Sequence, residues 1–435
     1  MNLERKLVPF EKGLEILNRT ASSLNVVTIS KVKGYISQDS LKKALLFIKQ
    51  SHPKLQCCIS GSINELEFRK IGDEPLPLQI LEYQDSASCE KVILDELNRE
   101  INSSKSLFRA TAIYQSDQNY IYLITIIHHA IIDGISSVNL HSEILNHCGN
   151  SQEIKTSSSE IKNLHILPPV ESLFPDSHTG YRGKVNSFIW LFKLLLKQLW
   201  LQPKTLKFEK FVPIEGRTCN LIYKKIEPAF TQALLSKCRA ENTTIQGALC
   251  SAMLLAVYDK ITTEKSDKLS ILCRSFVDLR RRLSPKIDNE NLGSFASAVS
   301  TSHHISPHTE FWQLAREVKH QIIQGINRGD MFNIILRFTE ILNALLSSSN
   351  KAPLAVEVTN LGRVDIPVNY GSLELEEISF MPSQGVFGGV FFAAVTTLKD
   401  KMMLNFVFSE PSLSQATVED LVNKTMSYLI DSFQD

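Results

Sequence analysis

The stretch Ile121–Gly134, IYLITIIHHAIIDG, ends an apolar run in two adjacent histidines, His128 and His129, with Asp133 and Gly134 close behind. An imidazole at the mouth of a buried strand can take up and release a proton near neutral pH, since its unperturbed pKa is about 6.5. Ile121–Ile127 is apolar on both faces, the pattern of a central strand. Successive residues of an extended chain point to opposite faces, so one histidine faces a substrate and the other the protein body. Asp133 points to a fixed local architecture, and Gly134 lets the backbone turn tightly or approach a ligand closely. As an isolated pair, two histidines at a strand end are more simply read as polar residues satisfied by the backbone.

Other constellations are weaker. His303, His304 and His308 lie in HHISPH, but no carboxylate or cysteine pattern accompanies them, so no metal is expected there. Helical i, i+4 metal ligation by His129 and Asp133 is disfavoured by the apolar strand before them and the glycine after. Arg280–Arg282 reads on its own as an exposed basic cluster, and Asn360–Gly362 as a strand-end turn. No P-loop, G-x-G-x-x-G or G-x-S-x-G occurs, which removes nucleotide hydrolysis, dinucleotide chemistry and a serine acyl-enzyme.

The elements that would carry these residues follow from periodicity. Ser37 caps a helix with apolar residues at Leu41, Ala44, Leu45 and Ile48, stopped by His52-Pro53. Leu55–Ile59 and Glu65–Ile71 read as strands, Glu90–Ile101 as a helix, and Phe108–Tyr114 with Tyr120–Ile127 as a strand pair. A helix runs from Gly134 to about His147. Thr243 and Gln246 make a T-x-x-Q capping box before helix Gln246–Tyr258. Leu269–Val277, Ala355–Thr359, Leu373–Phe380, Gly389–Thr397 and Lys401–Phe408 read as strands, and Val418–Phe433 as a closing helix.

At 435 residues the chain exceeds what one core usually serves. The expected division is an N-terminal subdomain 1–165 carrying the histidines, a linker or crossover 166–212, and a C-terminal subdomain 213–435. The polar stretch from Gly149 to about Gly183, with Ser157–Ser159 and three prolines, begins that connection. A net charge of +1 gives no case for nucleic acid. The eight cysteines form no C-x-x-C and read as buried thiols of a reducing cytoplasm, and the charged N-terminus lacks a signal peptide's apolar core. Phe188–Leu201, FIWLFKLLLKQLWL, is too short for a membrane span. The favoured reading is a helix packed on the body with Lys193 and Lys197 snorkelling. The other is a lid or interfacial helix that makes weak membrane contact and collects an apolar substrate.

HHAIIDG matches every fixed position of HHxxxDG, and further segments align in order: RKL with PFE at Arg5–Glu11, GYISQDSLKKAL with HPKL, TTIQGALCSAMLLA, VDLRRRL with NLGSFAS, and TNLGRVDIP. On these segments the chain resembles the HHxxxDG acyltransferase superfamily. That group includes chloramphenicol acetyltransferase-like enzymes, condensation domains, and polyketide-associated and alcohol O-acyltransferases. The DFGWG box of plant members is absent.

The resemblance implies an α/β (α+β) fold of two chloramphenicol acetyltransferase-like subdomains in a V, with a tunnel between them. His129 would be the general base and His128 a support. Asp133 would pair with Arg280 to hold the loop rather than react, and the Gly134 N–H would face the oxyanion. Thr359, Asn360, Gly362 and Ser383 would be substrate-tunnel candidates. The implied reaction moves an acyl group from a phosphopantetheine thioester, on coenzyme A or an acyl carrier protein, to a small-molecule alcohol. An amine acceptor, as in nonribosomal peptide or lipopeptide assembly, and a non-catalytic docking module are the alternatives. No tightly bound cofactor or metal is needed, and a monomer is expected.

Overall fold

The structure is a computed structural model that describes residues 4–20, 22–83, 86–115, 119–150, 164–262 and 268–433. Ser157–Ser159 lie outside the described residues. The fold is α+β in two compact units that interleave along the chain. The first comprises Met1–Val170, Pro285–Phe295 and Arg363–Ser383, and the second Glu171–Ser284, Ala296–Gly362 and Gln384–Asp435.

The first unit is built on a six-stranded sheet. Its order is Asn369–Tyr370, Leu373–Pro382, Val26–Lys33, Tyr120–Ile127, Phe108–Gln115, Leu78–Glu82. Only the last pair is parallel. Tyr120–Ile127 is central, paired with Val26–Lys33 in the register Val26 to Ile127 and with Phe108–Gln115 in the register Phe108 to Ile127. Its far half is buried on both faces, which accounts for the unbroken apolar run. Helix Gly134–Gly149 packs on this sheet and against helix Gln38–Ser51. Ser37 caps the latter as expected, accepting from Ser40 N at 3.1 Å.

One boundary departs from the expected division. The strand Leu373–Pro382 is distant in sequence from the first unit, yet it hydrogen-bonds along Val26–Lys33. A single C-terminal block over 213–435 therefore does not describe the chain, because backbone pairing draws 373–382 into the other sheet.

The second unit has its own six-stranded sheet, ordered Ala296–Ile305, Leu269–Asp278, Val356–Arg363, Phe391–Leu398, Lys401–Glu410, Thr218–Ile226. Its core centres on helix Ile245–Ile261, buried all round between helices Phe311–Arg328 and Gln415–Asp431. The N-cap of the central helix is Thr244, whose hydroxyl accepts from Gly247 N at 3.1 Å, not Thr243. Thr243 instead donates to Ala315 O at 2.7 Å, and Gln246 donates to Ser275 Oγ at 3.0 Å. The expected capping box is displaced because both of its side chains are used in tertiary packing.

Candidate active site

Strand Tyr120–Ile127 runs straight into the histidines. His128 N donates to Leu107 O at 2.9 Å, and Ile131 N back to His128 O at 3.0 Å, so the chain turns immediately after the strand. His128 points into the first unit. Its Nδ1 accepts from Ala130 N at 3.1 Å, which leaves the proton on Nε2, 2.9 Å from Glu15 Oε2. Glu15, on helix Pro9–Arg19, is fully buried, and it also accepts from Arg19 Nε at 2.6 Å and Ser103 Oγ at 2.5 Å. Burial pushes the Glu15 carboxyl pKa up. The hydrogen bonds from His128, Ser103 and Arg19 outweigh this and hold it below the usual carboxylate value.

His129 faces the other way. Its Nδ1 lies 2.7 Å from Ile132 O and 3.3 Å from Ser294 Oγ. A carbonyl oxygen can only accept, so Nδ1 carries the proton and Nε2 is the basic nitrogen. Burial lowers the His129 pKa below 6.5, and the nearby Asp133 charge opposes this only in part. The ring is therefore neutral at pH 7, with its lone pair on Nε2.

Asp133 fixes the turn that follows. It is the N-cap of helix Gly134–Gly149: Oδ1 accepts from Ser136 N and Oδ2 from Phe295 N, both at 2.9 Å. One carboxylate thus ties the helix start to the segment 285–295, and Ser136 Oγ adds a bond to Asn291 O at 3.1 Å. Gly134 is the first helical residue, so its N–H has no intrahelical acceptor and stands at the positive end of the helix dipole. Lys54 is close enough to feel the Asp133 charge, and its Nζ lies 5.9 Å from the centre of the Phe295 ring. Burial pulls the Lys54 pKa down, the charge of Glu11 opposing.

His128, His129, Asp133 and Gly134 therefore share one turn of the first unit. Arg280 belongs to the second. It is buried, with Nη1 donating to Asp278 Oδ1 at 2.9 Å. Arg281 is exposed, whereas Arg282 donates to Asp278 O at 2.7 Å. Thr359, Asn360 and Gly362 lie on strand Val356–Arg363. Asn360 Oδ1 accepts from Gly362 N at 2.8 Å, a local turn that Gly362 permits by its φ of +69°. Ser383 is completely buried in the first unit, its hydroxyl donating to Ser22 O and accepting from Asn25 N at 3.1 Å.

His303 is buried between Glu317 Oε1 and Thr301 Oγ1, each at 2.9 Å, and His304 lies 2.9 Å from Ser270 Oγ. Among the described residues no group of three His, Cys, Asp or Glu is placed to hold a metal. Sequence reasoning passed over Glu15 and gave no role to Ser294 or Lys54. Glu15 is one of six charged residues in the first 15, with nothing local to mark it as buried. Ser294 and Lys54 were visible only as letters within NLGSFAS and HPKL.

Comparison with known proteins agrees with this fold. The family described as phthiocerol/phthiodiolone dimycocerosyl transferase C-terminus matches residues 219–409. A probable alcohol acetyltransferase, FCK4, of Fusarium pseudograminearum is 20% identical over 451 residues, covering 94% of this chain and 90% of that protein. The trichothecene 15-O-acetyltransferase TRI3 of Fusarium sporotrichioides superposes with a TM-score of 0.76 at 14% identity, over 99% of this chain and 95% of its own. Polyketide synthase associated protein 5 of Mycobacterium tuberculosis gives 0.69 at 15% identity, over 99% and 98%. The first condensation domain of the calcium-dependent antibiotic synthetase gives 0.73 at 11%, over 99% and 96%. With its two six-stranded sheets the chain has the fold of chloramphenicol acetyltransferase-like acyltransferases and condensation domains, and its residues 219–409 match the C-terminal family of the dimycocerosyl transferases.

Proposed function

We propose that this chain transfers an acyl group from a phosphopantetheine thioester, carried by coenzyme A or an acyl carrier protein, to an acceptor hydroxyl. The observation that carries the reading is the His129 tautomer. The bond from Nδ1–H to Ile132 O presents Nε2 as a base, and burial keeps that base unprotonated at neutral pH. In the reaction Nε2 takes the hydroxyl proton as the oxygen attacks the thioester carbonyl. The negative charge moves to the carbonyl oxygen, where the Gly134 N–H at the helix start favours it. The C–S bond then breaks, and the leaving sulfur takes the proton from the imidazolium. An ester and a free thiol result, and His129 is restored.

Asp133, in this reading, holds the turn through its two main-chain bonds and transfers no proton. His128 and Glu15 brace it from behind. The likeness to an alcohol acetyltransferase and a 15-O-acetyltransferase supports a hydroxyl acceptor. The likeness to a condensation domain supports the second reading, amide formation on an amine by the same base.

The test is thiol release from acyl-coenzyme A donors of graded chain length, each with alcohol and amine acceptors, in wild type and His129→Ala. Acceptor-dependent release that falls by roughly 100- to 10,000-fold in the variant, with an unchanged melting temperature, is expected. Release that the variant retains in full overturns His129 as the base. Silence with every coenzyme A donor, followed by turnover with an acyl carrier protein, assigns the donor to the carrier. An amine preference assigns the second reading.

A further inference from the structure

Helix Gly180–Leu201 turns most of its apolar surface outward. Its contact side is narrow and bonded through polar groups. Gly183 is buried against the His178 main chain, where a Cβ would stand 2.4 Å from the carbonyl carbon. Ser187 Oγ accepts from Arg337 Nε at 2.9 Å, and Trp190 Nε1 donates to Asp330 Oδ1 at 3.0 Å. These bonds pin the helix to the segment Asp330–Leu336 and its neighbours, and they fix which face looks out. The helix packs on the body, as expected, but by a narrow strip: Gly183 and Ser187 are its only buried residues.

Along the outer face Tyr181, Val185, Phe188, Phe192, Leu195 and Leu199 recur at alternating steps of four and three. Tyr181 is 82% exposed, Phe188 62%, Leu199 73% and the neighbouring Trp200 81%. From Tyr181 to Leu199 the stripe is about 27 Å long. A contiguous apolar surface of that reach, rimmed by polar groups, marks an interaction site.

The charges around it say what the partner is. From Gly180 to Phe208 there are six cations, Arg182, Lys184, Lys193, Lys197, Lys204 and Lys207, and no Asp or Glu, in a chain whose net charge is only +1. At 100° per residue Lys184 borders one side of the stripe, Arg182 and Lys193 flank the other, and Lys197 lies toward the body. Two of the acids beneath the helix are engaged, Asp330 with Arg328 at 2.6 Å and Glu340 with Arg337 at 2.9 Å. Tyr181 and Trp200 mark the two ends, amphipathic rings suited to a headgroup layer. Among the described residues no helix is long and apolar enough to cross a membrane, so the helix would lie on one.

We propose that the outer face of Gly180–Leu201 docks on an anionic lipid bilayer, the apolar stripe entering the headgroup–acyl boundary and the flanking cations meeting the lipid charges. A second copy of this chain is the poorer partner, because two such helices face to face would bring cations together with no acid between them.

The test is co-sedimentation of the full chain with two kinds of vesicle, phosphatidylcholine alone and phosphatidylcholine with about one third phosphatidylglycerol, the readout being binding and not turnover. Wild type is expected to bind the anionic vesicles at least about tenfold better, the advantage shrinking as salt is raised. Phe188→Ser with Phe192→Ser and Trp200→Ser should lose binding to both, and Arg182→Glu with Lys193→Glu should lose the preference for anionic lipid. All five positions are exposed, so the melting temperature should hold. Wild type left in the supernatant with both vesicles overturns the proposal, as does a serine variant that binds like wild type. Equal binding to both vesicles overturns the role of the cations. A wild-type dimer that the serine variant converts to monomer assigns the face to a second copy instead.

Discussion

His129 is placed by two features of its own turn, a carbonyl that fixes its tautomer and an enclosure that keeps it neutral. The sign of the resulting pH dependence follows. A general base works only when unprotonated, and a lowered pKa keeps it unprotonated further into the acid range. The acid limb of kcat/KM, which reports the free enzyme, is therefore expected below pH 6.5, the ordinary histidine value, with a plateau through neutrality. A pH–rate profile under conditions limiting in acceptor checks this. A limb at or above pH 7 would mean that Asp133 charge, and not burial, governs the ring. How the two histidines divide their work was half legible: strand alternation required opposite faces, and they have them. The buried carboxylate that receives His128 was not legible, since Glu15 is 113 residues away in sequence and only tertiary packing brings it there.

At the scale of the element, the start of helix Gly134–Gly149 organises the site, and Asp133 is its fastening. Removing the carboxylate in Asp133→Ala strips the cap from Ser136 N and leaves the buried Phe295 N–H unsatisfied. The two losses together are expected to cost about 2–4 kcal/mol. Asp133→Asn keeps a capping oxygen and should recover about half of that. Urea unfolding of the three proteins measures it, and an alanine variant as stable as wild type would remove Asp133 from its structural role. Sequence reasoning reached this helix and its first residues because the apolar pattern and the D-G pair announce them. It did not reach the strand Val26–Lys33. VVTISKVK is short and rich in Ser, Thr and Lys, yet its polar residues Thr28 and Ser30 are buried, bonded at 2.8 Å to Ser137 and at 2.7 Å to His141 of the same helix. Those partners, invisible in one dimension, are what let polar residues sit in the middle of a sheet. The helix Gly180–Leu201 misled in the opposite sense. Its apolar residues suggested burial, while only Gly183 and Ser187 are buried and most of the apolar side chains face outward.

At the scale of the whole molecule, the two units are not successive halves of the chain. Strand Leu373–Pro382 joins the first sheet beside Val26–Lys33, and the segment 285–295 supplies both Phe295 N to Asp133 and Ser294 to His129. Neither excursion leaves a local signal, because a strand's own sequence does not say which sheet it will join. The consequence for folding is specific. Leu373, Leu375, Ile378, Phe380 and Met381 are all buried. At ~1.5–3 kcal/mol for each such side chain they contribute on the order of 10 kcal/mol, as much as the net stability of a whole domain. A fragment of residues 1–212, which looks like a natural cut from the sequence, loses that strand and exposes Val26–Lys33 as a bare edge. It should aggregate or melt without cooperativity. Co-expression with a fragment of residues 213–435 should return a soluble complex, since the missing strand is then supplied in trans. A soluble 1–212 fragment with a cooperative thermal transition would show that the first unit folds without its borrowed strand. The early histidine turn would then be assembled before the rest of the chain contributes Ser294 and the Phe295 N–H.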